Sequence, residues 1–262
     1  MITDQVNNFL YFSTPPKRIV SLVPSLTELL VDLGLEEYII GVTKFCVHPS
    51  HIRKTKTIVG GTKNIKLDKI KDLAPDFILC NKEENNQEIV ETCQRLAPTY
   101  VSDIYTLEDV YSLIKDLGDI FEIHEACENM NQQLYSLYHI FQKECSSTTQ
   151  VPVAYFIWKS PWMVAGNQTF IHHMLSLCNF RNVFERTSRY PEIAMDEIPE
   201  ETKLLLLSSE PFPFSEKHTS EIKESHPTKK IVIVNGEYFS WYGSRLLKAI
   251  DYFKRLKDEL NN

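Results

Sequence analysis

The sequence has few glycines, and none of them forms a phosphate-binding pattern. Only eight glycines occur in 262 residues, with no GxGxxG and no Walker-type loop. Gly60-Gly61-Thr62-Lys63 lacks the upstream glycine and the spacing that would wrap a phosphate. There is also no GxSxG nucleophile elbow. These absences disfavour nucleotide-dependent catalysis and a serine hydrolase, and we expect a protein that is not an enzyme.

Paired cysteines and basic clusters are missing as well. The six cysteines are scattered without a CxxC pair, which argues against a disulfide framework and a zinc ribbon and favours reduced core residues. The formal net charge is −7 and the basic residues are dispersed. A surface that follows nucleic-acid phosphates is therefore not expected, and no nucleic-acid partner is predicted.

Targeting and membrane segments are not visible in the sequence. Residues 1–14 contain neither a basic region nor an apolar region of a signal peptide, and nowhere do eighteen apolar residues follow one another. On this criterion alone, the expectation is a cytosolic polypeptide.

Short apolar runs alternate with amphipathic segments through most of the chain. In the first half, such runs occupy residues 19–23, 39–42, 77–80 and 99–101, with helices predicted near Ser25, Leu67, Asn86 and Leu107. In the second half, they occupy residues 151–157, 204–207 and 231–234, before a helix predicted from Ser244 to about residue 260. This alternation is typical of parallel α/β sheets.

A long amphipathic segment separates the two halves. Between Asp119 and Val151 there is no glycine and no proline, and apolar residues recur at spacings of three and four. About 28 helical residues would span roughly 40 Å. The predicted fold is α/β, with two Rossmann-like lobes that have parallel central sheets and are bridged by one long α-helix. The predicted boundaries are 17–118 for the N-terminal lobe, 119–148 for the linking helix and 149–262 for the C-terminal lobe. A coiled-coil partner helix is the alternative for the linking segment.

The segment around Pro24 indicates a binding edge. An apolar strand ends at Pro24, Ser25 is the predicted N-cap with Glu28 three residues later, and Gly34 closes the helix. In open parallel sheets, ligands collect where strands deliver their carboxyl ends to helix N-termini.

A small repeat occurs once in each half. Leu67-Asp68-Lys69-Ile70 and Met195-Asp196-Glu197-Ile198 share an apolar-Asp-x-Ile pattern, and each is predicted to start a helix that leads into a buried strand. The two aspartates are interpreted as matching corners of related lobes. The alternative is that each one simply caps its helix.

Aromatic residues are concentrated in predicted loops at the strand ends. Loop aromatics suit a flat or bulky apolar ligand, although side chains that merely cover the sheet edge are the alternative. Four basic residues nearby could meet carboxylates or phosphate on such a ligand. The apolar candidates are Trp158, Trp162, Trp241, Phe45, Met163 and Tyr190, and the basic ones are Lys159, Arg186, Arg189 and Arg245.

Cys46-Val47-His48 is the best metal candidate among the histidine-containing segments. It follows the strand over residues 39–42, at the edge where a ligand is expected. No further ligand stands at suitable spacing, so a metal here is only the minor alternative to a site without metal. This motif and the missing signal peptide motivate a rival hypothesis, a cytosolic metal-dependent enzyme.

Several motifs in a fixed order resemble one family. They are Ser21-Leu22-Val23-Pro24-Ser25-Leu26-Thr27-Glu28-Leu29, Gly41-Val42 with His48-Pro49, Leu67-Asp68-Lys69-Ile70 with Leu73-Ala74-Pro75-Asp76-Phe77-Ile78, the region 166–184, and Tyr190-Pro191-Glu192 before Met195-Asp196. From residue 18 to 260, the chain resembles the helix-linked class of ABC-importer substrate-binding proteins, of the vitamin B12-binding and iron-siderophore-binding type.

The resemblance implies a function. The chain would capture a corrinoid such as cobalamin in a cleft between its lobes and deliver it to a membrane permease, as a monomer with no intrinsic cofactor. A ferric siderophore or haem is the alternative ligand within the class. Family members work outside the cytoplasmic membrane, so the resemblance implies a periplasmic or extracytoplasmic location. The missing signal peptide leaves a cytoplasmic location open, and with it the rival hypothesis of a cytosolic corrinoid-handling or metal-dependent enzyme.

The resemblance also implies site residues. Phe45 corresponds to a first-lobe aromatic, Thr62 stands where the B12 binders have a tryptophan, Met163 replaces an aromatic residue, and Glu237 replaces an aspartate. Asp68 and Asp196 would dock the two lobes onto arginines of the permease. The implied ligand-binding set is Phe45, Thr62, Trp158, Trp162, Met163, Tyr190, Glu237, Tyr238 and Trp241.

Overall fold

Each of the two units of the protein is built on a sheet whose central strands are parallel, together with helices. The computed structural model describes residues 1–146 and 149–261. Unit 1 comprises Met1–Gln133 with Tyr242–Arg245, and unit 2 comprises the described residues of 134–241 and those from Leu246 onward. The predicted α/β class is confirmed, since buried parallel strands form the centre of both units.

Unit 1 contains a five-stranded sheet in which every neighbouring pair is parallel. The strands of this sheet are β3 Ile19–Ser21, β4 Ile39–Val42, β5 Thr57–Ile58, β6 Phe77–Asn81 and β7 Thr99–Ser102. Two short strands, β1 Ile2–Thr3 and β2 Phe9–Leu10, precede them. The helices are α1 Pro24–Asp32, α2 Ile52–Thr55, α3 Leu67–Leu73, α4 Gln87–Gln94 and α5 Leu107–Phe121. The strand order is β5-β4-β3-β6-β7, while β1 and β2 form a separate antiparallel pair. Strands that are covered on both faces need continuous apolar runs, which is why the sequence pattern located them.

Helix α1 begins two residues earlier than predicted and without the predicted cap. Val23 is the N-cap in an extended conformation, Pro24 opens the helix, and no side-chain cap hydrogen bond is formed. Proline suits the first helical position because its missing N–H would have no partner there and its φ is already helical. Ser25 is therefore a buried helical residue. Gly34 ends the helix as predicted, with a φ of 83° that a side chain would disfavour.

The long helix starts later than its predicted boundary at Asp119. Asp119 belongs to the last turn of α5, which ends where Glu122 adopts a left-handed conformation with a φ of 57°. The next helix, α6, runs over His124–Ser146. Neither a glycine nor a proline marks this break in the sequence, because the residue in the left-handed conformation is a glutamate. The predicted helical residues 147 and 148 lie outside the described residues.

Helix α6 passes from unit 1 into unit 2, since the division between the units falls after Gln133. The strands of unit 2 are β8 Val151–Trp158, β9 Trp162–Val164, β10 Phe180–Asn182, β11 Glu192–Ile193, β12 Leu204–Ser208 and β13 Lys230–Val234. The helices are α7 Phe170–Leu177, α8 Glu216–Ser225, α9 Glu237–Ser240 and α10 Leu246–Asn261. The strand order is β11-β9-β8-β12-β13, with β10 also paired to β8. The pairs β8-β12 and β12-β13 are parallel, whereas β9 and β11 add an antiparallel edge.

One predicted helix of unit 2 is only a single turn. Met195–Glu197 form a 3₁₀ turn, after which Ile198 is extended. The cause is Pro199, because a residue that precedes proline is disfavoured in helical conformation. The last helix begins at Leu246 and not at the predicted Ser244.

Candidate functional site

In unit 1, three loops leave the carboxyl ends of parallel strands of the same sheet. They follow β4, β5 and β6 and comprise residues 43–49, 59–66 and 82–86. The first two are joined by a hydrogen bond of 2.8 Å from the backbone N–H of Lys44 to the carbonyl oxygen of Gly60. A β-carbon at Gly61 would lie 3.1 Å from Cε2 of Phe45, so this glycine allows the close approach of the ring.

Phe45 presents an aromatic ring at this edge. Its exposed fraction is 49%, which is high for a phenylalanine, and Nζ of Lys44 lies 4.9 Å from the ring centroid. An ammonium at that distance interacts favourably with the face of an aromatic ring. An exposed ring with a cation beside it has the character expected of a ligand contact.

Thr62 lies in the interior, next to the position expected for a ligand contact. It is 8% exposed, its carbonyl oxygen accepts a hydrogen bond of 2.9 Å from Asn85 Nδ2, and its hydroxyl hydrogen-bonds to the carboxyl group of Glu84. Both polar groups of Thr62 therefore have protein partners. The half-buried Glu84 is the residue that Thr62 orients.

The thiol of Cys46 is a packing group. Its Sγ lies 3.2 Å from Oγ1 of Thr27 and 3.2 Å from Oγ1 of Thr43, and it is fully buried. Burial raises the pKa of this thiol, which disfavours the thiolate that a metal would need. His48 is half-buried in the same loop. Within residues 1–146 and 149–261, no three histidine, cysteine, aspartate or glutamate side chains come close enough to hold a metal ion.

In unit 2, aromatic residues gather at the carboxyl ends of β8 and β12. Trp158 ends β8 with an exposed fraction of 39%, and its ring meets that of Phe212 edge to face at 5.6 Å. Trp162 opens β9 and stacks on Phe214, with centroids 6.1 Å apart and planes 6° apart. His218 meets both phenylalanine rings edge to face. We call Trp158, Trp162, Phe212, Phe214 and His218 the aromatic cluster of unit 2.

Two of the four basic candidates near these loops, Lys159 and Arg245, form ion pairs with protein acids. Lys159 lies 5.1 Å from the ring centroid of Trp162 and forms an ion pair with Glu221. Arg245 forms two hydrogen bonds to the carboxylate of Glu28, with both side chains 7% exposed. The guanidinium of Arg245 is therefore held by a buried acid within unit 1. The partner was missed because Glu28 lies 217 residues away in sequence.

Met163 and Tyr190 lie at the antiparallel edge of the unit 2 sheet. Met163 pairs with Glu192 across β9 and β11, and half-buried Tyr190 precedes β11, with the guanidinium of Arg189 5.7 Å from its ring. The loop that carries Arg189 lies against Gly166, whose N–H donates a hydrogen bond of 2.7 Å to the carbonyl oxygen of Arg189. A β-carbon at Gly166 would come within 2.0 Å of the carbonyl oxygen of Thr187.

The segment after β13 is more buried than expected for a ligand loop. Trp241 is 8% exposed, and its Nε1 donates to Oε1 of Glu210 at 2.8 Å. Tyr238 is half-buried and stacks on Tyr252, with centroids 4.6 Å apart. Glu237 is half-buried at the first position of α9. Trp241 therefore anchors the loop after β12, whereas Trp158 and Trp162 lie in the more accessible group.

Sequence reasoning missed Glu84 and the two phenylalanines of the aromatic cluster. Phe212 and Phe214 lie in the loop after β12, and Glu84 lies in the loop after β6. The available signal was topological, because the carboxyl ends of parallel strands meet at one edge and each following loop is a candidate. Composition alone did not single these residues out.

Asp68 and Asp196 are exposed, each in its own unit. Asp68 is the second residue of α3, and Asp196 lies in the 3₁₀ turn Met195–Glu197. Neither the N-cap of α3 nor that of the 3₁₀ turn involves these carboxylates, since Lys66 and Ala194 occupy the cap positions. Both side chains are thus available to a partner surface.

The fold and these surfaces define a class of protein. Each unit offers loops with aromatic rings at the carboxyl edge of a parallel sheet, and one helix passes from the first unit into the second, as in helix-linked substrate-binding proteins. The profile of the family described as periplasmic binding protein matches residues 19–236, and the chain belongs to that family.

Two relatives and one solved structure show what the chain is similar to. The chain is 26% identical over 245 residues to the vitamin B12-binding protein of Pectobacterium atrosepticum, covering 89% of this chain and 86% of that protein. It is 26% identical over 190 residues to an uncharacterized ABC transporter substrate-binding lipoprotein of Bacillus subtilis, covering 69% and 60%. The fold matches the periplasmic haem-binding protein of Roseiflexus sp. RS-1 with a TM-score of 0.79 at 16% identity, covering 92% and 98%. The fold is therefore shared by proteins whose ligands differ.

Among residues 1–146 and 149–261, no helix combines the length and the apolar character that crossing a bilayer requires.

Proposed function

We propose that the chain is the substrate-binding protein of an ABC importer and that its ligand is a corrinoid such as cobalamin. The observation that carries the proposal is the pair of partly exposed rings, Phe45 in unit 1 and Trp158 in unit 2, each at the carboxyl edge of its sheet. The relative from Pectobacterium, which spans most of the chain and is named for vitamin B12, supports the corrinoid over other flat ligands.

The exposed aromatic area is large enough to matter for affinity. A tryptophan side chain buries up to about 250 Å², and Trp158 is 39% exposed. A ligand that covered this remainder would remove about 100 Å² from water, worth about 2.5 kcal/mol at 25 cal/mol per Å². A flat, largely apolar macrocycle is the kind of ligand that gains from such a surface.

Tryptophan fluorescence tests the proposal directly. Adding cyanocobalamin is expected to quench the emission of the wild-type protein, and Trp158→Ala is expected to weaken binding by about 2 kcal/mol, or about thirtyfold. Tyr11→Ala is the matched control, because Tyr11 is a 68% exposed aromatic residue on the N-terminal segment. The proposal fails if no corrinoid produces quenching or heat, and a Soret band on adding haem would identify the alternative ligand.

Delivery to the permease is proposed to involve Asp68 and Asp196. Two exposed carboxylates, one in each unit, could engage two basic sockets at once, and the second contact would gain from the effective concentration set by the first. Asp68→Ala combined with Asp196→Ala is expected to abolish stimulation of the reconstituted importer and to leave ligand affinity unchanged. Asp72→Ala combined with Glu200→Ala, both exposed acids in the same two regions, is the control. Loss of ligand affinity in the first double variant would instead mark the aspartates as structural.

We further propose that the protein is a monomer, that it is not an enzyme, and that it acts outside the cytoplasm. The supporting facts are the binding-protein family and a relative named as a lipoprotein. Metal analysis separates this proposal from a metal-dependent enzyme, because a stoichiometric transition metal that is lost in Cys46→Ala would favour the enzyme. Fractionation of the native organism tests the location, and light scattering tests the monomer.

A further inference from the structure

Glu84 lies in the loop after β6, where its backbone is held on both sides by asparagines. Oδ1 of Asn81 accepts hydrogen bonds from the N–H groups of Glu83 at 2.8 Å and Glu84 at 3.2 Å. Oδ1 of Asn85 accepts from the N–H of Asn81 at 3.0 Å, and both of these asparagines are buried. Asn86 then caps α4 by accepting from Ile89 at 2.8 Å. The position of Glu84 is therefore well defined by the fold.

The carboxyl group of Glu84 is placed in a surrounding that disfavours negative charge. The side chain is half-buried, and burial raises the pKa of its carboxyl group above the ordinary value for glutamate. The hydroxyl of Thr62 and the charge of Lys63 oppose this effect without cancelling it. The ammonium of Lys63 itself donates to the backbone carbonyl of Glu83. A carboxyl group so placed is poorly matched to a second negative charge.

This carboxyl group is connected through Thr62 to the loop against which Phe45 packs. Thr62, its hydrogen-bond partner, directly follows Gly61, against which the ring of Phe45 packs. Asn85, the neighbour of Glu84, donates to the carbonyl oxygen of Thr62 at 2.9 Å. The loops after β4, β5 and β6 thus carry one exposed aromatic ring and one half-buried carboxyl group, which are connected through Gly61 and Thr62.

We propose that Glu84 is a specificity-determining residue of the ligand surface and that it recognises a primary carboxamide of the ligand. This inference rests on the proposed binding function and names the chemical group that unit 1 selects. A carboxyl group accepts hydrogen bonds from carboxamide N–H groups, and a carboxamide brings no charge. A ligand carboxylate would instead set two acids against each other, which costs affinity. Corrinoids carry carboxamides around the macrocycle, whereas haem carries carboxylates.

Two variants separate the acceptor role of Glu84 from its charge. Glu84→Ala removes the acceptor, and a hydrogen bond to such a group accounts for about tenfold in affinity. Glu84→Gln retains an acceptor oxygen and removes the charge. Glu88→Gln, an exposed glutamate in the first turn of α4, is the control.

The ligands are dicyanocobinamide, which carries carboxamides, and dicyanocobyrinic acid, which carries carboxylates at the same periphery. Isothermal titration calorimetry is expected to show that the wild type and Glu88→Gln bind the amide at least tenfold more tightly than the acid. Glu84→Ala is expected to weaken binding of the amide about tenfold. Glu84→Gln is expected to bind the acid more tightly than the wild type does, while its affinity for the amide stays within about threefold.

The outcomes distinguish the two levels of the proposal. If the wild type binds neither corrinoid, the proposed function fails and this inference fails with it. If the wild type binds both corrinoids but the Glu84 variants leave the ratio of amide to acid affinity unchanged, the inference is overturned while the function stands. Equal weakening of both ligands, with a lowered thermal midpoint, would show that Glu84 acts only in folding, and this too would overturn the inference.

Discussion

Breaking the buried ion pair between Glu28 and Arg245 should destabilise unit 1 severely. Nε and Nη2 of Arg245 donate to the two carboxylate oxygens of Glu28 at 2.8 and 2.9 Å, and each side chain is only 7% exposed. The pair joins α1 to the segment Tyr242–Arg245, which belongs to unit 1 although its sequence neighbours on both sides belong to unit 2. Arg245→Met leaves the carboxylate of Glu28 buried without its arginine.

The magnitude follows from the asymmetry between breaking and replacing a buried pair. Removing one partner costs about 3–5 kcal/mol, because an uncompensated charge stays in the interior. At about 2 °C per kcal/mol for a chain of this size, the thermal midpoint should fall by about 6–10 °C. Replacing both partners with Met removes the charge as well, and such replacements are often neutral or stabilising. The double variant should therefore recover most of the loss.

The assay is thermal unfolding followed by circular dichroism and calorimetry. Lys115→Met is the control, because Lys115 is 70% exposed and its ion pair with Asp119 joins neighbouring turns of α5. Such exposed pairs contribute less than about 1 kcal/mol, so the control should shift the midpoint by at most about 2 °C. The reasoning is refuted if Arg245→Met behaves like the control, or if the double variant is as unstable as the single one.

Three further predictions follow from single features. Glu84→Gln should stabilise the protein at neutral pH more than at pH 4. Because the pKa of Glu84 is raised on folding, the folded wild type binds more protons than the unfolded chain between the unfolded and the folded pKa, and its stability falls as the pH rises through that window. Midpoints of both proteins measured from pH 4 to 7.5 would contradict this if their difference were constant. Gly166→Ala should lower the free energy of unfolding in urea by about 1–3 kcal/mol and weaken ligand binding, because the added β-carbon would meet the backbone of Thr187. An unchanged urea midpoint would show that the loop moves aside at no cost. All six cysteines are buried, so Ellman's reagent should react with none of them quickly in the native protein and with six in denaturant, whereas a fast native reaction would locate an exposed thiol.

Much of the secondary structure was predictable because it depends on local pattern. The apolar runs at residues 19–23, 39–42, 77–80 and 99–101 all became strands of one parallel sheet, since strands covered on both faces must be continuously apolar. The errors arose where the local signal was weak or ambiguous. Glu122 broke a helix without glycine or proline, and Pro24 displaced Ser25 from the cap.

The candidate site was predictable only in part. The loop that carries Phe45 and the strand end that carries Trp158 were recognisable from their positions after buried strands, and both residues are partly exposed. Trp241 has the same residue type and a similar position after a strand, yet it is buried against Glu210. Exposure depends on which other loop covers a side chain, and no local pattern records that. The assignment of these residues to the ligand stays a prediction.

The sequence by itself determined the order of strands and helices, the α/β class and membership of the periplasmic binding protein family, because these depend on apolar periodicity and on motif order. The tertiary structure decided which polar groups face solvent and which are used internally. It paired Arg245 with a carboxylate 217 residues away, and it turned Thr62 inward to hold Glu84. The physical reason is that burial and electrostatic partnership are set by contacts between distant segments, which exist only once the sheets have formed.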